Sequence, residues 1–140
     1  MVVEVAEVAH LPLFKDISGD QVAVVLDRGY RRSFDPGEII IHQGELSHDM
    51  YIILKGLVEV DRRIGALGPR FGRLALEAGE FFGEMALLEG KERSATVTAL
   101  EDTECLVLSR PELEELLREY PSLTLAILTT MSRRLRAIGG

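Results

Sequence analysis

The 140-residue chain is long enough for one domain with its own hydrophobic core, and its 46% hydrophobic composition excludes an intrinsically disordered chain. No stretch approaches the ~18 consecutive apolar residues that a membrane-spanning helix requires, and the start of the chain lacks the basic segment of a secretory signal. The formal charge of −7 argues against direct binding to DNA, and the single cysteine, Cys105, excludes an internal disulfide and fits a cytoplasmic location.

The first of three zones, residues 1–29, is predicted to be helical. Ser18 and Gln21 have the spacing of a capping box, so a helix is expected to begin after Ser18, and Gly29 is the predicted stop. The apolar residues of this helix are expected on one face: Val22, Val25 and Leu26.

The second zone, residues 30–108, consists of short apolar runs separated by turn residues such as Pro36-Gly37 and Lys55-Gly56. This pattern predicts an antiparallel sandwich or barrel. The predicted strands are Tyr30–Phe34, Ile39–His42, Met50–Leu54, Leu57–Arg62, Arg73–Leu76, Ser94–Leu100 and Cys105–Leu108. One or two helical turns are predicted at Gly83–Leu88, inside this strand region.

The third zone, residues 109–138, is again predicted to be helical. Ser109, Pro111 and Glu112 together indicate a helix start, and Pro121 separates this helix from a second one. The second helix is expected to pack an apolar stripe on its own domain, with a homodimer through the same face as the alternative. The stripe contains Leu123, Ile127, Leu128, Met131, Leu135 and Ile138.

The most informative stretch is residues 82–97, where a glycine, a carboxylate, a guanidinium and a hydroxyl lie close together in sequence. Gly83 lets the backbone approach a ligand, and the following helical turn offers free amides, those of Met85 and Ala86, to a phosphate. Arg93 can bind a phosphate with two parallel hydrogen bonds, and Ser94 adds another donor. Glu84 can accept a ribose hydroxyl, so the pattern favours a ligand that carries both sugar and phosphate.

The string Phe82-Gly83-Glu84-Met85-Ala86-Leu87, followed by Arg93-Ser94-Ala95-Thr96-Val97, resembles the phosphate-binding cassette of the cyclic nucleotide-binding domain family. Similarity to the sensor domain of bacterial catabolite-activator-like regulators extends over nearly the whole chain. The segments that carry it further are Leu11–Phe14, Phe34–Glu38, Gln43–Glu45 and Tyr51–Gly56.

The resemblance implies one domain, residues 1–140, built as an antiparallel β-roll with helices at both ends. It further implies a sensor that binds cAMP or cGMP without catalysis, in which ligand binding moves the C-terminal helix. By resemblance, Glu84 holds the ribose, and Arg93 and Ser94 hold the cyclic phosphate. The remaining residues that the resemblance places at the ligand are Phe82, Gly83, Met85, Ala86, Ala95, Val60 and Leu74.

The end of the chain departs from the family pattern. The regulators read adenine with a Thr-Ser pair on the C-terminal helix, and the corresponding positions here hold Ile138 and Gly139. Arg134, Arg136 or Ile138 is the expected replacement as a cover over the base. The regulators continue into a DNA-binding domain, so direct DNA binding by this chain is not expected. A second copy or a protein effector at the C-terminal helix is the expected partner.

Two other interpretations come from the same sequence. The chain could be a scaffold module that keeps the β-roll but no longer responds to nucleotides. It could also be a metal-dependent enzyme, although the spacing of His42 and His48 does not suit a metal site and neither a metal nor another cofactor is expected. Glu45 and Asp49 are expected to be solvated loop charges, and Arg93 is expected to be poorly paired while the site is empty.

Overall fold

The computed structural model describes residues 5–63, 70–84 and 89–137, which form two antiparallel four-stranded sheets with helices at both ends. The N-terminal helices are α1 (Val5–Val8) and α2 (Gly19–Arg28), and the C-terminal helices are α3 (Arg110–Glu119) and α4 (Pro121–Ala137). The strands are β1 (Tyr30–Phe34), β2 (Ile39–Ile41), β3 (Met50–Lys55), β4 (Leu57–Arg63), β5 (Arg70–Glu77), β6 (Phe81–Phe82), β7 (Thr96–Ala99) and β8 (Thr103–Leu108). This architecture confirms the predicted β-roll with flanking helices.

The strand order is β1-β8-β3-β6 in the first sheet and β2-β7-β4-β5 in the second, and every neighbouring pair is antiparallel. The chain therefore crosses repeatedly between the sheets. As a result, the segment after β6 and the start of β7 come to lie beside β5 and beside β4, from which both are distant in sequence.

The centre of the first sheet is buried on both faces, as strand β3 shows. Met50 and Ile52 pack against the helices, whereas Tyr51 and Ile53 pack between the two sheets. Because successive side chains of a strand point to opposite faces, a strand buried on both sides reads as one continuous apolar run. Two core layers thus hold the roll together, one between the sheets and one under the helices.

The observed strands differ from the predicted ones at several boundaries, including those of β5, β6 and β7. The two-residue strand β6 was missed, although it pairs with Tyr51 and Ile52 of β3. Strand β5 is longer than the predicted Arg73–Leu76 because its pairing with β4 continues to Arg70. Strand β7 begins at Thr96, so Ser94 and Ala95 have irregular backbone instead of extending the strand.

The helix starts follow the predicted capping chemistry. The Ser18 hydroxyl accepts a hydrogen bond from the Gln21 amide at 3.2 Å, and the Ser109 hydroxyl accepts one from the Glu112 amide at 3.4 Å. The predicted stop at Gly29 has a different cause from the one expected. Its backbone is not left-handed, and a Cβ there would lie 2.8 Å from the Val107 carbonyl oxygen, so glycine allows close packing against β8.

Helix α4 exposes part of the stripe that was expected to be buried. Leu123 and Ile127 are buried, but Leu128 and Leu135 are 56% and 62% exposed, so that prediction was wrong for these two leucines. The half-buried Arg134 instead turns towards the sheets. Among the helices described, none is long and apolar enough to cross a membrane.

Candidate functional site

A cavity of about 180 Å³ lies between the second sheet, the residues that follow β6, and helix α4. Its lining includes eight of the ten residues predicted for the site: Val60, Leu74, Phe82, Gly83, Glu84, Arg93, Ser94 and Ala95. Ile41, Leu76, Val97 and Arg134 complete the lining. The other two predicted residues, Met85 and Ala86, lie outside the described part of the chain. Glu84 and Glu89, on either side of residues 85–88, have helical backbone.

Gly83 is required where the chain leaves β6. Its φ of +87° is in the left-handed region, and a Cβ there would lie 2.8 Å from the Asp49 carbonyl oxygen and 2.9 Å from Nη1 of Arg93. Any larger residue would therefore be strained and would push against both groups. This glycine brings the backbone of the cassette into direct contact with the guanidinium of Arg93.

Arg93 is 3% exposed and is held by three neutral acceptors. Its Nε donates to the Ser47 hydroxyl at 2.8 Å, Nη1 donates to the Gly83 carbonyl at 3.0 Å, and Nη2 donates to the Asp49 carbonyl at 2.8 Å. The expectation of a poorly paired cation was therefore wrong with respect to hydrogen bonding. A guanidinium carries five N–H groups. Contacts among the described residues use three of them, which leaves one N–H on each terminal nitrogen without a partner in that part of the chain.

The positive charge of Arg93 is nevertheless not neutralised by direct contact. Burial lowers the pKa of Arg93, while Tyr51, Glu45, Asp49 and Glu84 act in the opposite direction. None of these four groups forms an ion pair with Arg93 within the described ranges, so an anion in the cavity could contact the guanidinium directly. Glu45 and Asp49 are half-buried against this arginine, which corrects their assignment as solvated loop charges.

Glu84, which is 8% exposed, is paired with the C-terminal helix. Nη1 of Arg134 donates to Oε1 of Glu84 at 2.7 Å, and Nη2 donates to Oε2 of Glu80 at 3.3 Å and to the Phe81 carbonyl. The guanidinium also lies over the Phe81 ring, 4.4 Å from its centroid. Sequence reasoning named Arg134 as one of three candidates to cover a ligand base, beside Arg136 and Ile138. In the structure Arg134 contacts the carboxylate that was assigned to the ribose.

The rest of the cavity wall is apolar. Val60 and Leu74 are cross-strand partners on β4 and β5, and they line the cavity together. Behind the cassette, the rings of Phe82 and Tyr51 stack with centroids 5.0 Å apart and planes 2° from parallel. The cavity therefore combines two guanidinium groups and a carboxylate with an apolar surface that could take a flat ring.

Sequence reasoning missed Ile41 and Leu76, which line the cavity, and it also missed a contact to Arg93 from Ser47. Ser47 lies in the loop between β2 and β3, 46 positions before Arg93. No local pattern signals such a contact, because a serine next to a histidine and an aspartate in a polar loop is ordinary turn chemistry. The hypothesis of a metal-dependent enzyme gains no geometric support. The described residues contain no group of three or more His, Cys, Asp or Glu side chains that could hold a metal.

The model of the cyclic nucleotide-binding domain family matches residues 31–120. The cyclic AMP receptor protein of Thermus thermophilus is 38% identical over 126 residues, which are 89% of this chain and 57% of that protein. The crystal structure of the Thermus thermophilus catabolite activator protein superposes with a TM-score of 0.79 at 36% identity, covering 91% of this chain and 59% of the other. A regulatory subunit of a cAMP-independent protein kinase A from Trypanosoma cruzi, bound to guanosine, is 28% identical with a TM-score of 0.72, covering 86% of this chain and 42% of the other. The chain therefore spans little more than half the length of these two Thermus thermophilus proteins.

Proposed function

The chain belongs to the cyclic nucleotide-binding domain family, and we propose that its cavity binds a cyclic mononucleotide, cAMP or cGMP, as a regulatory signal. The observation that carries this proposal is the placement of Arg93 and Glu84 on one cavity. The buried Arg93 keeps one N–H on each terminal nitrogen, and these two groups suit two oxygens of one phosphodiester.

The other residues of the cassette take roles that follow from their chemistry. Glu84 accepts the ribose 2′-hydroxyl, Ser94 donates to a phosphate oxygen, and Gly83 lets the backbone approach the phosphate. Met85 and Ala86 contribute amides in this proposal. Val60 and Leu74 contact the base through their apolar side chains. No bond of the ligand is broken, so the domain acts by binding and not by catalysis.

Binding is coupled to the C-terminal helix through Arg134. Arg134 donates only to Oε1 of Glu84, and in this proposal Oε2, which has no other partner among the described residues, accepts the ribose hydroxyl. The ligand and helix α4 therefore share one carboxylate. A ligand can move a helix only if it interacts differently with the two helix positions, and the shared carboxylate provides such a difference. The helix then passes the signal to its partner.

The partner that the helix surface favours is a second copy of the chain. The exposed leucines of α4 are Leu125, Leu128 and Leu135, and they are spaced by three and seven residues. Apolar residues at alternating steps of three and four form the seam of two-helix coiled coils, and Ser132 occupies the remaining seam position.

With a net charge of −7, the domain is not expected to bind DNA, and we place it in the cytoplasm without contact to a membrane.

Calorimetric titration with cAMP and cGMP tests the proposal, with Arg93→Lys as the decisive variant. Lysine keeps the charge but loses the two-pronged geometry, so we expect affinity to fall roughly 100-fold, equivalent to about 3 kcal/mol. Arg73→Lys is the matched control, because Arg73 is 51% exposed in a surface ion pair with Glu59. Absence of heat with both nucleotides, or equal affinity for the Arg93→Lys protein, would refute the proposal.

The rival function is a module of the same fold that does not respond to cyclic nucleotides. One observation supports this rival: the Trypanosoma cruzi relative belongs to a cAMP-independent protein kinase A and is bound to guanosine. Guanosine has no phosphate, so Arg93 would contribute little to its binding. A parallel titration with guanosine separates the two functions. Guanosine binding that is unaffected by Arg93→Lys, together with no cAMP or cGMP binding, would favour the rival.

A further inference from the structure

The loop of residues 42–49, between β2 and β3, is attached to Arg93 through both backbone and side chains. The Arg93 amide donates to the Glu45 carbonyl at 2.9 Å, and the Gly44 amide donates to the Arg93 carbonyl at 2.8 Å. The side chains continue this contact. Nε of Arg93 donates to the Ser47 hydroxyl at 2.8 Å, and that hydroxyl donates to Oε2 of Glu45 at 2.6 Å. Two hydrogen bonds in sequence thus connect the guanidinium of Arg93 to the hydroxyl of Ser47 and that hydroxyl to the carboxylate of Glu45.

These hydrogen bonds bring negative charge near the buried Arg93 without placing a carboxylate on its terminal nitrogens. A guanidinium that is 3% exposed needs negative charge nearby, since burial disfavours the ionised form. A carboxylate placed directly on its terminal nitrogens would form a two-pronged pair and occupy the donors that a phosphate needs. Serine avoids this conflict. It engages Nε alone and connects the arginine to Glu45 without using the remaining N–H groups on Nη1 and Nη2.

We propose that Ser47, supported by Glu45, is a positioning residue that fixes the guanidinium of Arg93 for a phosphate while keeping its terminal donors available. The inference rests on the proposed function and deepens it, since it assigns a role in ligand recognition to a loop outside the cassette. The Asp49 and Gly83 carbonyls hold the two terminal nitrogens, and Ser47 holds the third corner of the same plane. With all three corners held, the planar group cannot rotate about its long axis.

The test combines calorimetry with a substitution series at Ser47. Ser47→Ala should lower cAMP affinity about tenfold, and Ser47→Thr, which keeps the hydroxyl, should restore it to within about twofold of the original. Ser47→Asp should lower affinity more than alanine does, because its carboxylate can reach the guanidinium directly and repel the phosphate. Ser33→Ala, at an exposed strand position, is the control and should bind normally.

A second readout separates positioning from loop stability. In the Arg93→Lys background, Ser47→Ala should produce no further loss, because lysine has no Nε–H at that point. Without ligand, NMR should show that the Arg93 Nε–H exchanges with water at least tenfold faster in Ser47→Ala than in the unmodified chain.

The possible failures can be told apart. If the unmodified chain binds neither cAMP nor cGMP, the proposed function and this inference fall together. If it binds them and Ser47→Ala has unchanged affinity, or if alanine adds a full tenfold loss in the Arg93→Lys background, only the role of Ser47 is refuted.

Discussion

The contact between Arg134 and Glu84 gives a quantitative prediction about ribose selectivity. The two side chains are 19% and 11% exposed, so solvent screens them only weakly. A hydrogen bond to a charged group contributes about 1.5–3 kcal/mol, and we therefore expect the unmodified chain to prefer cAMP over 2′-deoxy-cAMP by roughly 10- to 150-fold. Arg134→Met removes the partner that orients the carboxylate, so this ratio should fall roughly tenfold, which corresponds to about 1.4 kcal/mol.

Calorimetry with both ligands on four proteins measures the effect: the unmodified chain, Arg134→Met, Glu84→Gln and the double variant. Glu84→Gln should already bring the ratio down to a few-fold, and adding Arg134→Met should lower it no further. Arg136→Met is the matched control, since Arg136 is exposed on the same helix. If Arg134→Met instead tightens cAMP binding, then Arg134 competes with the ribose and our assignment of its role is wrong.

Three further predictions concern separate parts of the molecule. Gly83→Ala should abolish cAMP binding, whereas Gly37→Ala, which has the same φ of +87° but no atom within 4 Å of the added Cβ, should cost about 1 kcal/mol of stability and leave affinity unchanged. Burial raises the pKa of Cys105 to about 12, so iodoacetamide at pH 8 should label it only at the rate of global unfolding, and rapid labelling of the folded chain would contradict its burial. Leu128→Glu should convert a dimer into a monomer in sedimentation velocity, and a monomeric unmodified chain would refute the helix seam.

The sequence was sufficient for the fold and for eight residues that line the cavity, because both depend largely on local chemistry. Short sequence patterns are enough to recognise the helix caps at Ser18 and Ser109 and the turn at Gly37, where φ is positive. The same holds for the spacing of Glu84 and Arg93. The boundaries that failed depend on distant partners. Strand β6 forms because its two residues pair with β3, and a stretch of two residues is too short to show a hydrophobic periodicity.

The orientation of helix α4 was the least predictable element, for a related reason. Its hydrophobic residues occur on more than one face, and the sequence alone gives no reason to prefer Leu123 and Ile127 over Leu128 and Leu135. The decisive residue is charged. Arg134 is seven positions after Ile127 and shares its face, so an apolar stripe that would otherwise continue ends in a cation directed at Glu84 and Glu80.

This placement is the structural basis for the proposal that ligand binding moves helix α4. The inner face of α4 is held near its start by burial of Leu123 and Ile127, and near its end by the charged contacts of Arg134. Apolar burial is insensitive to a nucleotide, whereas the salt bridge between Arg134 and Glu84 would respond to a nucleotide whose ribose binds Glu84 as proposed. A ligand can therefore change the docking of the last helical turns while the first turns stay in place. On this reasoning, ligand-dependent hydrogen exchange should be concentrated after Thr130 and small around Leu123, and a uniform change along α4 would contradict it.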